Sequence, residues 1–164
     1  MARASNTSIL RPTVIDRLLQ PTGGARSAYP AIGLRELKAA VARDLEWLLN
    51  TKSALTGAAE LEDLEEAKES ILTYGIPDFS NASWRSEGDA RRICRDITAA
   101  VKTFEPRLLP SSIRVVILPS TSSTDMRLTF RIEGTLHVEP ITEPVFFDSN
   151  VQTDTGAIQV EGGV

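Results

Sequence analysis

The chain has 164 residues, a formal net charge of −4, 41% apolar residues and 24% charged residues. This length suits one domain whose core needs no disulfide or metal, and the composition excludes collagen-like, disulfide-rich and membrane-spanning proteins. Cys94 is the single cysteine, which excludes an internal disulfide and a multi-cysteine zinc site. We therefore expect a reducing compartment, the cytoplasm, and the acidic balance disfavours nucleic acid as a partner.

The first thirty residues predict a docking arm. In this segment the apolar residues Ile15 and Leu18 flank Asp16 and Arg17, and prolines and glycines between residues 20 and 30 predict a loop. A stretch this short does not bury its apolar face by itself, so we expect it to dock on its own domain or on a partner. Residues 31–164 are expected to form a single domain.

Three helices are predicted next, over about residues 34–50, 60–74 and 87–104. The first and third carry apolar residues at the helical spacing of three or four. The second shows the same spacing less strongly, and acidic residues at its start complement a helix N-terminus. The third helix is expected to end before Pro106, because a residue that precedes proline is pushed out of helical geometry.

Beyond residue 110 the apolar period changes from 3.6 to 2, which predicts strands. We place them at about residues 113–118, 126–138, 144–148 and 156–160. The second strand alternates apolar and polar residues, as in an antiparallel sheet with one wet face, and Gly134 within it indicates a bulge or a close backbone approach. Helices followed by strands predict an α+β fold of three N-terminal helices and a mostly antiparallel sheet of about four strands, with the strand order left open.

No set of residues points to catalysis. His137 is the single histidine, so one chain cannot form a catalytic triad or a two-histidine metal site, and we expect His137 to be a surface residue. Cys94 lies on the apolar stripe of the third helix and is expected to be a small core residue. The chain also lacks a glycine-rich phosphate loop. We therefore expect no enzyme activity, no catalytic residue, no metal and no cofactor.

The segment between the third helix and the first strand could carry a binding function. Its residues are Phe104, Glu105, Pro106, Arg107 and Leu108. A stiff turn at Pro106 can hold the opposite charges of Glu105 and Arg107 in a fixed geometry, and a guanidinium offers a planar donor fork to a partner's carboxylate or carbonyl groups. The alternative is an internal salt bridge that ties the helix end to the loop. The residues alone leave both interpretations open.

Four stretches, in the same order along the chain, resemble the TssE family of baseplate subunits in bacterial type VI secretion. Residues 43–52 (RDLEWLLNTK) resemble the family's hallmark helix, with Lys52 where arginine is usual. Residues 70–79 (SILTYGIPDF) resemble its second segment, with threonine where asparagine is common. Residues 104–108 match the family's Glu-Pro-Arg signature, and residues 14–18 resemble its opening segment.

This family is related to the gene-25-like wedge protein of contractile phage tails. The resemblance implies a structural subunit that binds wedge subunits of the TssF, TssG and TssK type. Its terminal sheet would receive the first sheath ring, of the TssB and TssC type, at the cytoplasmic side of the inner membrane. The resemblance also implies a wedge contact at residues 104–108 and a second docking element at Ile15, Asp16, Arg17 and Leu18.

Two alternatives stay open beside that function. A sheath-initiating wedge protein of a phage tail or tail-derived particle would rely on nearly the same physics. The family has also carried a lysozyme label, which implies a peptidoglycan-cleaving muramidase. Glu105 beside Arg107 suits this chemistry poorly, because a guanidinium favours the charged form of a carboxyl group whereas a general acid must hold a proton.

Overall fold

The computed structural model describes residues 33–53, 64–79, 86–118, 128–138, 141–151 and 156–162, together with Leu18. Apart from Leu18, whose side chain is exposed, the predicted docking arm lies outside these residues. Its docking therefore stays a prediction, as does the part of the predicted second helix that falls at residues 60–63.

The described helices are α1 (Leu34–Asn50), α2 (Glu65–Lys68) and α3 (Glu87–Phe104). The first and third predicted helices are confirmed by α1 and α3. Ser86 precedes α3, and its Oγ accepts a hydrogen bond from the N–H of Asp89 at 3.5 Å. In the described part of the chain, no helix is both long and apolar enough to cross a membrane.

The prediction of one continuous helix over residues 60–74 is wrong in its described part. The chain there forms the single turn of α2, followed by a 3₁₀ turn at Ile71–Thr73. The apolar stripe that suggested a helix is not buried, since Leu64 is 54% exposed and Ile71 is 85% exposed. A short helix is marginal in water without such packing, so the local periodicity is not enough to maintain it.

Four strands form one antiparallel sheet in the order β1-β2-β3-β4. They are β1 (Arg114–Leu118), β2 (Leu128–Val138), β3 (Ile141–Val151) and β4 (Ile158–Gly162). All four predicted strands are therefore present, and β3 is longer at both ends than predicted. Gly134 marks neither a bulge nor a close backbone approach, because the pairing of β2 with β3 is continuous and the space beside Gly134 would accept a Cβ atom at ordinary van der Waals distance. A Cβ atom at Gly134 would lie 3.6 Å from the Leu108 side chain.

The core lies between one face of the sheet and the two long helices. α1 packs against β4 and α3 packs against β1. Along β2, Phe130 and Ile132 are buried while Glu133 is exposed, as the alternating pattern predicted. The largest fully buried apolar side chains come from both helices, the sheet and the Glu-Pro-Arg segment: Phe130, Phe147, Leu45, Leu48, Ile93, Ile97, Leu108, Ile132, Leu136, Val41 and Val101.

Candidate functional site

Three of the sequence motifs meet in space. The first and second are joined where the Ile76 N–H donates to Thr51 O and the Ser53 N–H donates to Ile76 O, both at 2.9 Å. The second and third are joined where the ring of Tyr74 meets that of Phe104 edge to face, with 5.2 Å between centroids. Segments far apart in the sequence thus form one structural unit around the end of α3.

The Glu-Pro-Arg turn encloses an internal ion pair. Glu105 leaves helical geometry, with φ −117° and ψ 81°, as its place before Pro106 predicted. Its carboxylate accepts a hydrogen bond from Arg107 Nε at 2.6 Å, another from Arg107 Nη2, and one from the Arg107 backbone N–H at 3.1 Å. Only 3% of Glu105 is exposed. The internal salt bridge that the sequence allowed is therefore formed.

Asp44 of α1 joins this pair to the rest of the fold. Arg107 Nη2 donates to Asp44 Oδ2 at 2.7 Å, and Arg43 donates to Asp44 Oδ1 from Nε and Nη2 at 3.1 and 2.9 Å. Burial alone would lower the pKa of Arg107, but hydrogen bonds and charges from Glu105 and Asp44 outweigh it and raise that pKa. Arg107 is thus firmly cationic and held in one orientation.

Backbone hydrogen bonds fasten the turn to β2. Arg107 O accepts from the N–H of His137, and the Leu109 N–H donates to Thr135 O, both at 2.8 Å. The side chain of Leu108 between them is fully buried. Leu108 therefore anchors the turn in the core instead of facing a partner.

Among the five residues predicted to bind partners, Pro106 is exposed and Arg107 is partly exposed. In α1, Trp47 is 43% exposed, and the guanidinium of Arg43, which also binds Asp44, lies over its ring at 5.0 Å from the centroid. Tryptophan and arginine dominate binding energy at many protein interfaces. We call Arg43, Trp47, Pro106 and Arg107 the EPR face.

Sequence reasoning missed Asp44, Arg43 and Trp47 as members of this site. Asp44 lies 63 positions before Arg107, so no local pattern connects the two. The signal in the sequence is the motif at residues 43–52, which contains all three residues but predicts a helix without indicating which of its side chains reach the turn.

The residues considered for catalysis are placed as follows. His137 is exposed, as expected, with Nδ1 3.2 Å from Thr142 Oγ1. Cys94 is half-buried, and burial raises the pKa of its thiol, which disfavours a reactive thiolate. Within the described ranges, no group of three or more His, Cys, Asp or Glu side chains could hold a metal ion.

Side chains of α1 close the β4 edge of the sheet. Asn50 Nδ2 donates to Ile158 O at 2.7 Å, and the Ile158 N–H donates to Asn50 Oδ1 at 2.9 Å. The next outward N–H, that of Val160, donates to Glu46 Oε2 at 2.9 Å. The Asn50 amide thus pairs with the strand as a neighbouring backbone would, and β4 is protected from pairing with another chain.

Among the described residues, nothing pairs with the outer edge of β1. Antiparallel ladders alternate between groups that face one neighbour and groups that face the other. In β4, the backbone groups of Ile158 and Val160 point away from β3. When this alternation is followed through the pairing registers of β3 and β2, the N–H and C=O groups of Val115 and Ile117 in β1 point away from β2. In the described part of the chain, no hydrogen bond joins these outward groups to another element.

In the residues that the structure describes, the fold and site define a small two-layer α+β protein with a firmly held arginine turn, a closed sheet edge at β4 and an open edge at β1. Residues 35–141 match the family described as baseplate wedge protein gp25. The match spans more than half of the chain, and the chain belongs to this family. The matched region contains the EPR face, β1 and β2. Membership of the family indicates contacts with other baseplate proteins. Neither the curated proteins nor the solved structures gave a match.

Proposed function

We propose that the protein is a TssE-type wedge subunit of a type VI secretion baseplate. Through the EPR face it docks on wedge subunits of the TssF, TssG and TssK type, at the cytoplasmic side of the inner membrane. The observation that carries this proposal is the orientation of Arg107 by Glu105 and Asp44. Asp44 also binds Arg43, which lies over the partly exposed ring of Trp47. The hallmark helix at residues 43–52 favours a secretion system over a phage-tail particle.

Preorganisation makes this face suited to binding. An arginine that is already fixed loses little side-chain entropy when a partner arrives. Arg107 Nη1 is buried and, among the described residues, has no hydrogen-bond partner. A docking partner does not reach that buried atom, so its carbonyl or carboxylate groups would contact the exposed part of the Arg107 side chain, which is 19% exposed. Trp47 and Pro106 supply apolar contact area around it.

Co-expression with the neighbouring baseplate subunits, followed by affinity pull-down, tests this docking. Pro106→Asp places a charge on the EPR face without removing a member of the buried network. We expect it to lower recovery of the complex at least tenfold while the melting temperature stays close to that of the wild type. Ser111→Asp is the matched control, because Ser111 is exposed in the next turn. Equal recovery of both variants would contradict docking through this face.

We further propose that the β1 edge templates the first ring of the contractile sheath, formed by subunits of the TssB and TssC type. A strand from a sheath subunit would pair with the outward groups of Val115 and Ile117 by β-augmentation. The closure of β4 by Asn50 and Glu46 supports β1 as the receiving edge.

A proline in β1 tests this role. Ile117→Pro removes an outward donor while leaving the hydrogen bonds to β2 in place, since a proline is tolerated where its nitrogen faces away from the sheet. The matched control is Ile117→Val, which keeps the N–H. We expect Ile117→Pro to fold and to join the wedge complex but to stop sheath assembly, as seen by electron microscopy. Normal sheaths on a baseplate that contains Ile117→Pro would refute the template.

We also propose that the protein has no catalytic activity. Arg107 occupies both carboxylate oxygens of the buried Glu105, so this residue is poorly placed to donate a proton to a glycosidic oxygen. Zymography on peptidoglycan is expected to show no cleared band. A cleared band that is lost on mutation of an acidic residue would favour the muramidase alternative.

A further inference from the structure

The open edge of β1 is suited to pairing with a second copy of itself. The strand has five residues, Arg114–Leu118, and Arg114 is its single charge. Its middle residue, Val116, is 44% exposed. Edges with such apolar sequence and unpaired backbone groups tend to pair with another strand.

We propose that two free copies of this chain pair through β1 in an antiparallel arrangement with a two-fold axis at Val116. In this register Val115 lies opposite Ile117 of the second copy. Both residues turn their N–H and C=O groups outward, so each such pair exchanges two hydrogen bonds. The axis generates the pair twice, which gives four hydrogen bonds and satisfies every outward group of these two residues. An axis at Val115 or at Ile117 would place one of these two residues opposite a residue outside β1.

The side chains fit the same register. Val116 faces Val116 of the second copy in a pair without mutual hydrogen bonds, where side chains approach most closely. Arg114 lies opposite Leu118, so the two arginines are separated by roughly 13 Å along the strand direction. A parallel in-register pairing would place Arg114 beside its own copy. The charge position therefore favours the antiparallel pair.

Self-pairing would use the backbone groups that a strand from any other protein would need. The dimer and strand addition at β1 therefore exclude each other, and the dimer protects the edge while the protein is free. This inference depends on the geometry of β1 and not on the proposed baseplate role. A monomeric protein could still template a sheath, and a dimeric protein could still fail to do so.

Disulfide crosslinking in a Cys94→Ser background tests the register. Val116→Cys places two thiols across the axis, where Cα atoms about 4.5 Å apart suit a disulfide. Arg114→Cys is the matched control, because it lies on the same strand and the same face but far from its own copy. On mild oxidation we expect Val116→Cys to form dimers at least tenfold faster than Arg114→Cys. A mixture of Arg114→Cys and Leu118→Cys is expected to form mixed dimers.

Sedimentation equilibrium of the unmodified chain supplies a second test that needs no cysteine. We expect reversible dimerisation that weakens at least tenfold in Val116→Lys, which opposes two like charges across the axis. Gln159→Lys, at an exposed position of β4, should leave dimerisation unchanged. Equal crosslinking at positions 114 and 116, or a wild-type chain that stays monomeric at millimolar concentration, would overturn the proposal.

Discussion

Arg107 binds the carboxylate of Glu105 across Pro106, the single residue that separates them, and the acidic partner is almost fully buried. The two interpretations of this turn are therefore compatible. Glu105 faces inward and orients Arg107, while Pro106 faces outward. A substitution at Glu105 or Arg107 changes the fold as well as the surface, whereas one at Pro106 tests the surface alone.

Removal of Arg107 should destabilise the isolated protein. In Arg107→Ala the buried carboxylate of Glu105 loses its cation, and breaking one side of a buried ion pair costs about 3–5 kcal/mol. We expect the free energy of unfolding in urea to fall by this amount. The double variant Glu105→Leu/Arg107→Met, which buries no unpaired charge at these positions, is expected to regain about half of the loss. A decrease below about 1 kcal/mol in Arg107→Ala would show that the pair contributes little.

Gly75 should be intolerant of any side chain. Its φ is +117°, and a Cβ atom would lie 2.4 Å from Thr51 O, where the first two motifs join. We expect Gly75→Ala to lower the free energy of unfolding by at least about 3 kcal/mol. Gly156→Ala is the control, since φ there is +69° and no described atom lies within 4 Å of its Cβ position. That variant should lose only about 1 kcal/mol, and equal losses would contradict the steric argument.

The fold was predictable where the sequence pattern and tertiary burial agree. α1 and α3 bury the faces that their periodicity indicated. The end of β3 shows the opposite case, because the predicted strand stops at Asp148, and Ser149 and Asn150 beyond it are residue types common in turns. Cross-strand contacts keep them in the sheet, since Arg131 binds Asp148 at 2.7 Å and Thr129 donates to Asn150 Oδ1 at 3.0 Å. A single segment does not contain that information.

Replacement of Ser149 by alanine should stabilise the protein. It is fully buried on the core face of β3, and in the described structure its Oγ has no hydrogen-bond partner. An unsatisfied buried hydroxyl is unfavourable, so Ser149→Ala should raise the free energy of unfolding by about 1 kcal/mol. Ser112→Ala should lower it by a similar amount, because Ser112 Oγ accepts from the Thr135 N–H and donates to Leu109 O. Thermal unfolding of the two variants checks the opposite signs.

Ionisation of Tyr74 should lower the free energy of unfolding at alkaline pH. Burial first, and then the charges of Asp44 and Glu105, raise the pKa of Tyr74 above its ordinary value of 10.0. The folded state thus holds this proton more tightly than the unfolded state does. The stabilisation is fully present below about pH 10 and is lost as the pH rises through the folded-state pKa. Urea unfolding between pH 8 and pH 11 should show a smaller decline for Tyr74→Phe, and identical slopes would exclude this contribution.

The candidate site was predictable as a turn but not as a surface. The Glu-Pro-Arg segment marked the end of the third helix, which is confirmed, while its role in binding stays a prediction. Whether Glu105 faces a partner or the core depends on contacts around the turn. Asp44 of α1 binds Arg107, Leu108 is buried in the core, and the His137 N–H of β2 donates to Arg107 O. Such long-range contacts have no sequence signature in a single chain.

Site-specific photo-crosslinking tests the central claim most directly, because it reports contact and not stability. A benzophenone amino acid replaces Pro106 in the assembled baseplate, and a second preparation carries it at Arg92, an exposed position near the opposite end of α3. We expect a covalent adduct with another wedge subunit from position 106 and none from position 92. Crosslinking from position 92 alone would show that the EPR face is not the docking surface.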